Sequence, residues 1–215
     1  MPTASNPDAL RRIRRLLWAA AAGAAVALSG ITLWRALTPS DLPAPRVTGE
    51  AAIVNAYTLT EHTGRTVTPE TYAGRWQLVF FGFTYCPDIC PTTLAYMASV
   101  MDLLGPDADR VAPIFVTVDP ARDTAPVMAD YVAAFHPRLI GITGTEAQTA
   151  EAAANFRVWY ERAEDAAAPD GYFMAHSGHI YLMRPDGRFE DVFREGDQPP
   201  EALADTISTL IDNES

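Results

Sequence analysis

Cys86 and Cys90 are the only thiols in 215 residues, and they stand four positions apart in Phe80-Phe81-Gly82-Phe83-Thr84-Tyr85-Cys86-Pro87-Asp88-Ile89-Cys90-Pro91-Thr92-Thr93-Leu94. Ahead of them, Gln77-Leu78-Val79-Phe80-Phe81 is an apolar run of strand length. Behind them Leu94, Met97, Ala98, Met101 and Leu104 recur at helical spacing, and Pro91 suits a first helical turn. The pattern predicts the first thiol on a strand-to-helix loop and the second on the first turn. There the unpaired N–H groups and the positive end of the helix dipole favour thiolate over thiol. Two sulfurs one turn apart can oxidise to a disulfide or hold a soft cation between them. The plain competitor is a structural pair with no chemistry, which a proline-flanked helix start argues against. The gap also exceeds the two residues of redox Cys-x-x-Cys motifs, leaving room for a metal if a third ligand comes from elsewhere.

Four histidines could supply it. His62 falls in a hairpin turn and His136 precedes Pro137 at a helix end, so both read as exposed and ordinary. His176 and His179 flank the entry to a late hairpin. Residues three apart in an extended segment face opposite sides, so at most one of the pair points at the thiols. On spacing alone that residue is a structural histidine as readily as a ligand. Asp88 is the nearest source of a fourth ligand and reads as pointing outward. Asp119, Arg122 and Asp123 follow the next strand and fall near the same end of a sheet. They support the thiol site, or offer a docking surface, or form an Arg–Asp pair that braces a loop. Phe83 and Tyr85 either screen the site or pack the core.

The elements that position these residues follow an α/β order. Ala56–Thr60 and Arg65–Thr68 flank Gly64 as a first hairpin. Strand Gln77–Phe83 leads into a helix from about Pro91 to Leu104, and strand Val111–Val118 leads through polar Asp119–Thr124 into a helix reaching Phe135. Thr145 caps a helix running to Phe156, after which Arg157-Val158-Trp159-Tyr160 reads as a strand and the following stretch as a polar loop. Gly178–Met183 and Arg188–Phe193 flank Pro185-Asp186-Gly187, a strong hairpin signal, and a helix from about Pro200 to Ile211 closes the chain. Two βα units, a hairpin and a helix predict a mixed central sheet with flanking helices. With a thiol pair at the first βα junction, that order points to the thioredoxin-like fold.

Charge divides the chain. Residues 1–35 hold five Arg and one acid, whereas the rest holds 11 Arg against 26 acids. An acidic domain of this kind argues against a nucleic-acid partner, which needs a basic footprint. Residues 1–15 read as a basic cytoplasmic N-terminus. Leu16–Trp34 is free of charge and, at 1.5 Å per residue, would span about 28 Å as a helix, enough to cross a bilayer. Residues 16–36 are therefore read as one transmembrane anchor, with the Arg cluster inside and the C-terminal domain outside. A signal peptide cleaved near Ala27-Leu28-Ser29 is the competing reading. Residues 37–48 form a Pro-rich linker, and residues 49–215 form a single domain.

Several segments resemble the Sco/SenC family. They are Phe83–Pro91, Val116-Thr117-Val118-Asp119-Pro120 with Arg122-Asp123-Thr124, Gly141–Thr145, and His176 followed by Tyr181 and Pro185-Asp186-Gly187, in order from about Tyr57 to Phe193. The resemblance implies a membrane-tethered, thioredoxin-like copper metallochaperone with Cys86, Cys90 and His176 as metal ligands. The implied partner is the copper-site subunit of cytochrome c oxidase, whose dinuclear centre it would load. A periplasmic copper donor and a thiol reductant are further implied partners, and the bacterial inner membrane, with the domain in the periplasm, is the implied location. One departure is Ala175, where the family often has Asp. The ligand chemistry agrees with the resemblance: two thiolates suit Cu(I), an added imidazole makes Cu(II) acceptable, and zinc would prefer a fourth ligand. The alternative is a thiol-disulfide oxidoreductase, with Cys86 and Cys90 as a redox pair, that reduces the oxidase subunit's cysteines. Peroxidase activity is a weaker third, because no activating Arg and Thr can be placed.

Overall fold

A computed structural model describes residues 53–213 except 167 and 169, together with Trp18 and Gly23. The chain divides into two compact units, residues 1–50 and 51–215. The anchor span Leu16–Trp34 lies outside the described residues apart from Trp18 and Gly23, both helical. Among the described residues no helix is long and apolar enough to cross a membrane.

Strands β1 (Leu59–Glu61) and β2 (Thr66–Val67) pair across the Gly64 turn as the sequence predicts. There Gly64 adopts φ 86°, a conformation that glycine enters without a Cβ penalty. The fully buried β3 (Trp76–Gly82) feeds helix α1 (Ile89–Leu104), and the fully buried β4 (Val111–Thr117) feeds α2 (Ala125–Ala133). Continuous apolar runs such as Leu78–Phe81 suit interior strands, which are covered on both faces. After β5 (Ile140–Thr143) comes α3 (Glu146–Asn155), whose N-cap Thr145 forms a capping box with Gln148, three residues on. Strands β8 (Ile180–Met183) and β9 (Phe189–Phe193) make the late hairpin, and α4 (Pro200–Asn213) packs on α1.

Seven strands form one mixed sheet in the order β2-β1-β5-β4-β3-β8-β9. Only the pairs β3–β4 and β4–β5 are parallel, with Phe80 opposite Phe115 and Phe115 opposite Gly141. Phe80, Phe81, Phe115, Phe156, Leu94 and Met97 fill the core.

The stretch after α3 departs from the sequence reading. Arg157 is not a strand residue: it sits at φ 57°, the one non-glycine residue at positive φ among those described. Its N–H donates to the Ala154 carbonyl (3.1 Å), and that of Val158 donates to Ala153 (2.8 Å). These two bonds make a Schellman motif that ends α3, a position where glycine is the usual signal. Without that glycine the sequence pattern starts the strand too early. It is β6, Tyr160–Glu164, and the predicted polar loop contains a further strand, β7, Tyr172–His176. The two form an antiparallel ribbon with no ladder to the large sheet. Strand β6 is polar and largely exposed, and the core-facing period of β7 is only the pair Tyr172 and Met174 on either side of exposed Phe173.

Candidate metal centre

Cys86 and Cys90 lie where the sequence reading expects them, at the junction of β3 and α1. Strand β3 ends at Gly82, the chain turns so that the Cys86 N–H donates to the Phe83 carbonyl (3.3 Å), and α1 begins three residues later. Asp88 holds the N-cap position, is exposed and gives no side-chain cap. Cys86 sulfur takes up that function, accepting the backbone N–H of Cys90 at 3.4 Å. An otherwise unpaired helix-end donor thus meets a sulfur that gains from it. The Cys86 thiol is held far below its ordinary value, down to about 4, chiefly by a hydrogen bond from Cys90, with help from the N–H groups of Asp88 and Cys90. Cys90 is driven the opposite way by burial and by the neighbouring Cys86 sulfur. At neutral pH the pair is one thiolate and one thiol.

Gly82 is a residue of the centre that the sequence reading did not single out. A Cβ there would lie 2.6 Å from Cys90 Sγ and 2.9 Å from the Phe115 ring. The strand therefore ends in glycine so that the second sulfur can lie directly against its backbone.

His176, at the end of β7, brings Nε2 to 3.2 Å from Cys90 Sγ. Its Nδ1 lies 3.1 Å from the Ser177 carbonyl, which can only accept, so Nδ1 carries the proton. The Nε2 lone pair is thereby turned towards the sulfurs. The rings of Phe80 and Phe83 meet the imidazole edge-on, at 6.0 and 5.7 Å. Phe83 both packs in the core and screens the centre, whereas Tyr85 is half exposed and stacks on Arg122. One ligand atom each from Cys86, Cys90 and His176 lies within 4.8 Å of the others, the only such group of three found among the described residues.

The other candidates fall elsewhere. His179 accepts a hydrogen bond from Arg194 (3.1 Å) and stands outside the group, in the short non-strand segment between β7 and β8. His62 and His136 are not exposed. His62 Nδ1 lies 3.1 Å from the Gly141 N–H, and His136, with its side chain only 11% exposed, faces Asp102 at 3.5 Å. Ala175 pairs across the ribbon with exposed Glu161. Of residues 119–123, the Arg–Asp pair that braces a loop is present, and Asp123 also supports the thiol loop. Arg122 is ion-paired to Asp119, and fully buried Asp123 accepts from the Thr84 N–H (3.0 Å) and from the Thr84 and Thr117 hydroxyls (2.5 and 2.6 Å). Burial holds the Asp123 carboxyl above the usual carboxylate range in spite of those bonds. The Asp123 bonds fasten the loop that carries Cys86.

A soft, activated thiolate, a buried second thiol and a pre-oriented imidazole on a thioredoxin-like scaffold define a thiol-rich metal or redox protein. The SCO1/SenC family model matches residues 45–212. The chain is 42% identical over 159 residues to the mitochondrial SCO2 homolog of Mus musculus, covering 72% of this chain and 62% of that protein. It likewise spans less than two thirds of the other curated relatives, including the human SCO1 homolog at 54%. Among solved structures, Bradyrhizobium japonicum ScoI with copper bound is 38% identical with a TM-score of 0.69, over 74% of this chain and 99% of that one. BsSco, described as a member of the Sco family of cytochrome c oxidase assembly proteins with a disulfide switch, is 25% identical with a TM-score of 0.55, over 73% and 90%. This chain belongs to the SCO1/SenC family.

Proposed function

We propose that this protein is a membrane-anchored copper metallochaperone that supplies the dinuclear copper centre of cytochrome c oxidase, holding its cargo through Cys86, Cys90 and His176. The observation that carries the reading is the convergence of two sulfurs and an imidazole nitrogen within 4.8 Å, in a family whose solved members include a copper-bound one. The thiolate of Cys86 is ready to take a soft ion, and Cys90 follows by releasing its proton. Nε2 of His176 completes a low-coordinate set of two sulfurs and one nitrogen that accepts either copper oxidation state. Leu16–Trp34 would hold the domain at the bacterial inner membrane, with residues 37–48 as a spacer and the partner subunit on the periplasmic side. Anaerobic Cu(I) titration with thiol counting tests the centre: one copper per chain that protects both thiols supports it, and tight binding that leaves both thiols free overturns it. A retained N-terminal Arg cluster that needs detergent for extraction supports the anchor, whereas a mature N-terminus near Gly30 in soluble periplasm overturns it.

The split between an activated Cys86 and a protonated Cys90 also favours a second reading, dithiol reduction of the same subunit. The Cys86 thiolate would attack a substrate disulfide, releasing one substrate thiolate and forming a mixed disulfide with the other half. Cys90, losing its proton, would then displace the second substrate thiolate, so that the pair gives up two electrons and one proton. His176 is unnecessary for that exchange, which separates the two readings.

A further inference from the structure

The two sulfurs and the imidazole reach the centre on different bodies. Cys86 and Cys90 lie on the loop and the first helical turn that follow β3, a strand of the seven-stranded sheet, while His176 ends a ribbon that has no ladder to it. A two-stranded ribbon is marginal on its own. Tyr172 and Met174 of β7 are buried in the core, but beside them a pocket of about 210 Å³ lined by Val118, Asp119, Pro120 and Tyr160 leaves the ribbon incompletely packed. A further contact can therefore help to set where the imidazole lies.

Residue 122 touches both bodies. The Arg122 guanidinium stacks 3.9 Å from the centroid of Tyr172, the first residue of β7, and donates to the Tyr172 carbonyl (3.4 Å). Its carbon also lies 4.7 Å from the centroid of Tyr85, next to Cys86, and 5.9 Å from that of Phe83. Asp119 orients it through a 2.5 Å ion pair and accepts the Tyr172 hydroxyl at 3.1 Å, while Asp170 adds a weaker contact at 3.7 Å. On the far face of the Tyr172 ring, Arg162 of β6 stacks at 3.7 Å. Only a planar, permanently charged fork can stack on rings while donating in its own plane.

We propose that Arg122, braced by Asp119, is a positioning residue for the metal centre: it ties the ribbon bearing His176 to the loop bearing Cys86 and so sets the approach of the imidazole to the sulfurs. This rests on the copper reading for its functional meaning, but the tether itself is measurable without metal. In the reduced, metal-free full chain in mild detergent, Arg122→Met raises hydrogen exchange across residues 160–176 by about tenfold and leaves β3 and β4 protected. The same variant keeps one Cu(I) on the two sulfurs with unchanged affinity. Its Cu(II) affinity falls by about tenfold, with weakened nitrogen coupling in the Cu(II) spectrum, the size expected for an outer partner of a ligand. Arg122→Lys does not rescue, because an ammonium cannot stack and fork together. Tyr172→Phe, which keeps the ring and loses one hydrogen bond, gives a smaller change in the same direction and decides the matter if Arg122→Met fails to fold. Wild-type exchange in both variants would overturn the proposal, as would equal losses of Cu(I) and Cu(II) binding. A wild-type chain that bound Cu(II) without a nitrogen ligand would instead sink the copper reading, leaving the exchange comparison to judge the tether.

Discussion

The thiol loop and the histidine ribbon are built on opposite principles. The loop is fastened at every point: Gly82 lets Cys90 lie against the strand, Asp123 grips Thr84 through its amide and hydroxyl, and helix α1 sets the second sulfur. The ribbon has no ladder to the sheet and is held by side chains, buried Tyr172 and Met174 and the contacts of Arg122 and Asp119. A soft ion gains most from two rigid sulfurs, and on the proposed copper reading the imidazole joins them from a separately held body. The difference teaches that the centre is a fixed pair plus an adjustable third ligand.

The strongest attack on the fixed half is Cys86→Ser or Cys90→Ser. Either should weaken copper binding by more than roughly a hundredfold, beyond what outer partners are worth, while circular dichroism shows the fold intact. A mutant that still held one copper tightly would mean that the sulfurs are not a pair. On the adjustable half, His176→Ala should cost Cu(II) its nitrogen donor and abolish oxidase copper loading, yet leave Cu(I) on the sulfurs and dithiol reduction near wild type. His179→Ala, whose ring meets Arg194, should spare all of these. If His179 were the damaging position, the register of the ribbon entry would be wrong.

Less drastic is Gly82→Ala. It should leave secondary structure in place but cost about 1–3 kcal/mol in urea unfolding, and it should displace Cys90, so copper affinity falls with stability. An alanine tolerated at no cost would show that the sulfur is free to move away. The asymmetry of the thiols can be read by alkylation. Because Cys86 is lowered from 9.0 to about 4, its thiolate is complete above that value and is lost only as pH falls through it. Its alkylation rate should therefore stay level from about pH 5 to about pH 8, where an ordinary thiol would speed up with the thiolate fraction. Cys90, raised by burial, should remain slow throughout. The smallest change expected is Arg157→Gly, which relieves a positive φ and should raise stability by about 1 kcal/mol without touching copper.

Much of this molecule was decided locally and was therefore legible in the amino-acid order. Buried β3 and β4, the capped α3, the Pro185-Asp186-Gly187 turn and the thiols at the strand-to-helix junction each follow from periodicity or turn chemistry within about ten residues. The three residues brought together were also named from sequence, but His176 came from a resemblance, since nothing local distinguishes a ligand histidine from a structural one. Tertiary structure alone decided the rest. Whether Arg157 ended a helix or began a strand depended on two carbonyls of the preceding turn, with no glycine to announce it. The ribbon was hidden because only Tyr172 and Met174 give it an apolar face, and the groups that fasten it further, Arg122 and Asp119, lie some fifty residues away from Tyr172. The need for glycine at position 82 exists only once Cys90 is folded back upon it, because steric exclusion between groups eight residues apart has no counterpart in an extended chain.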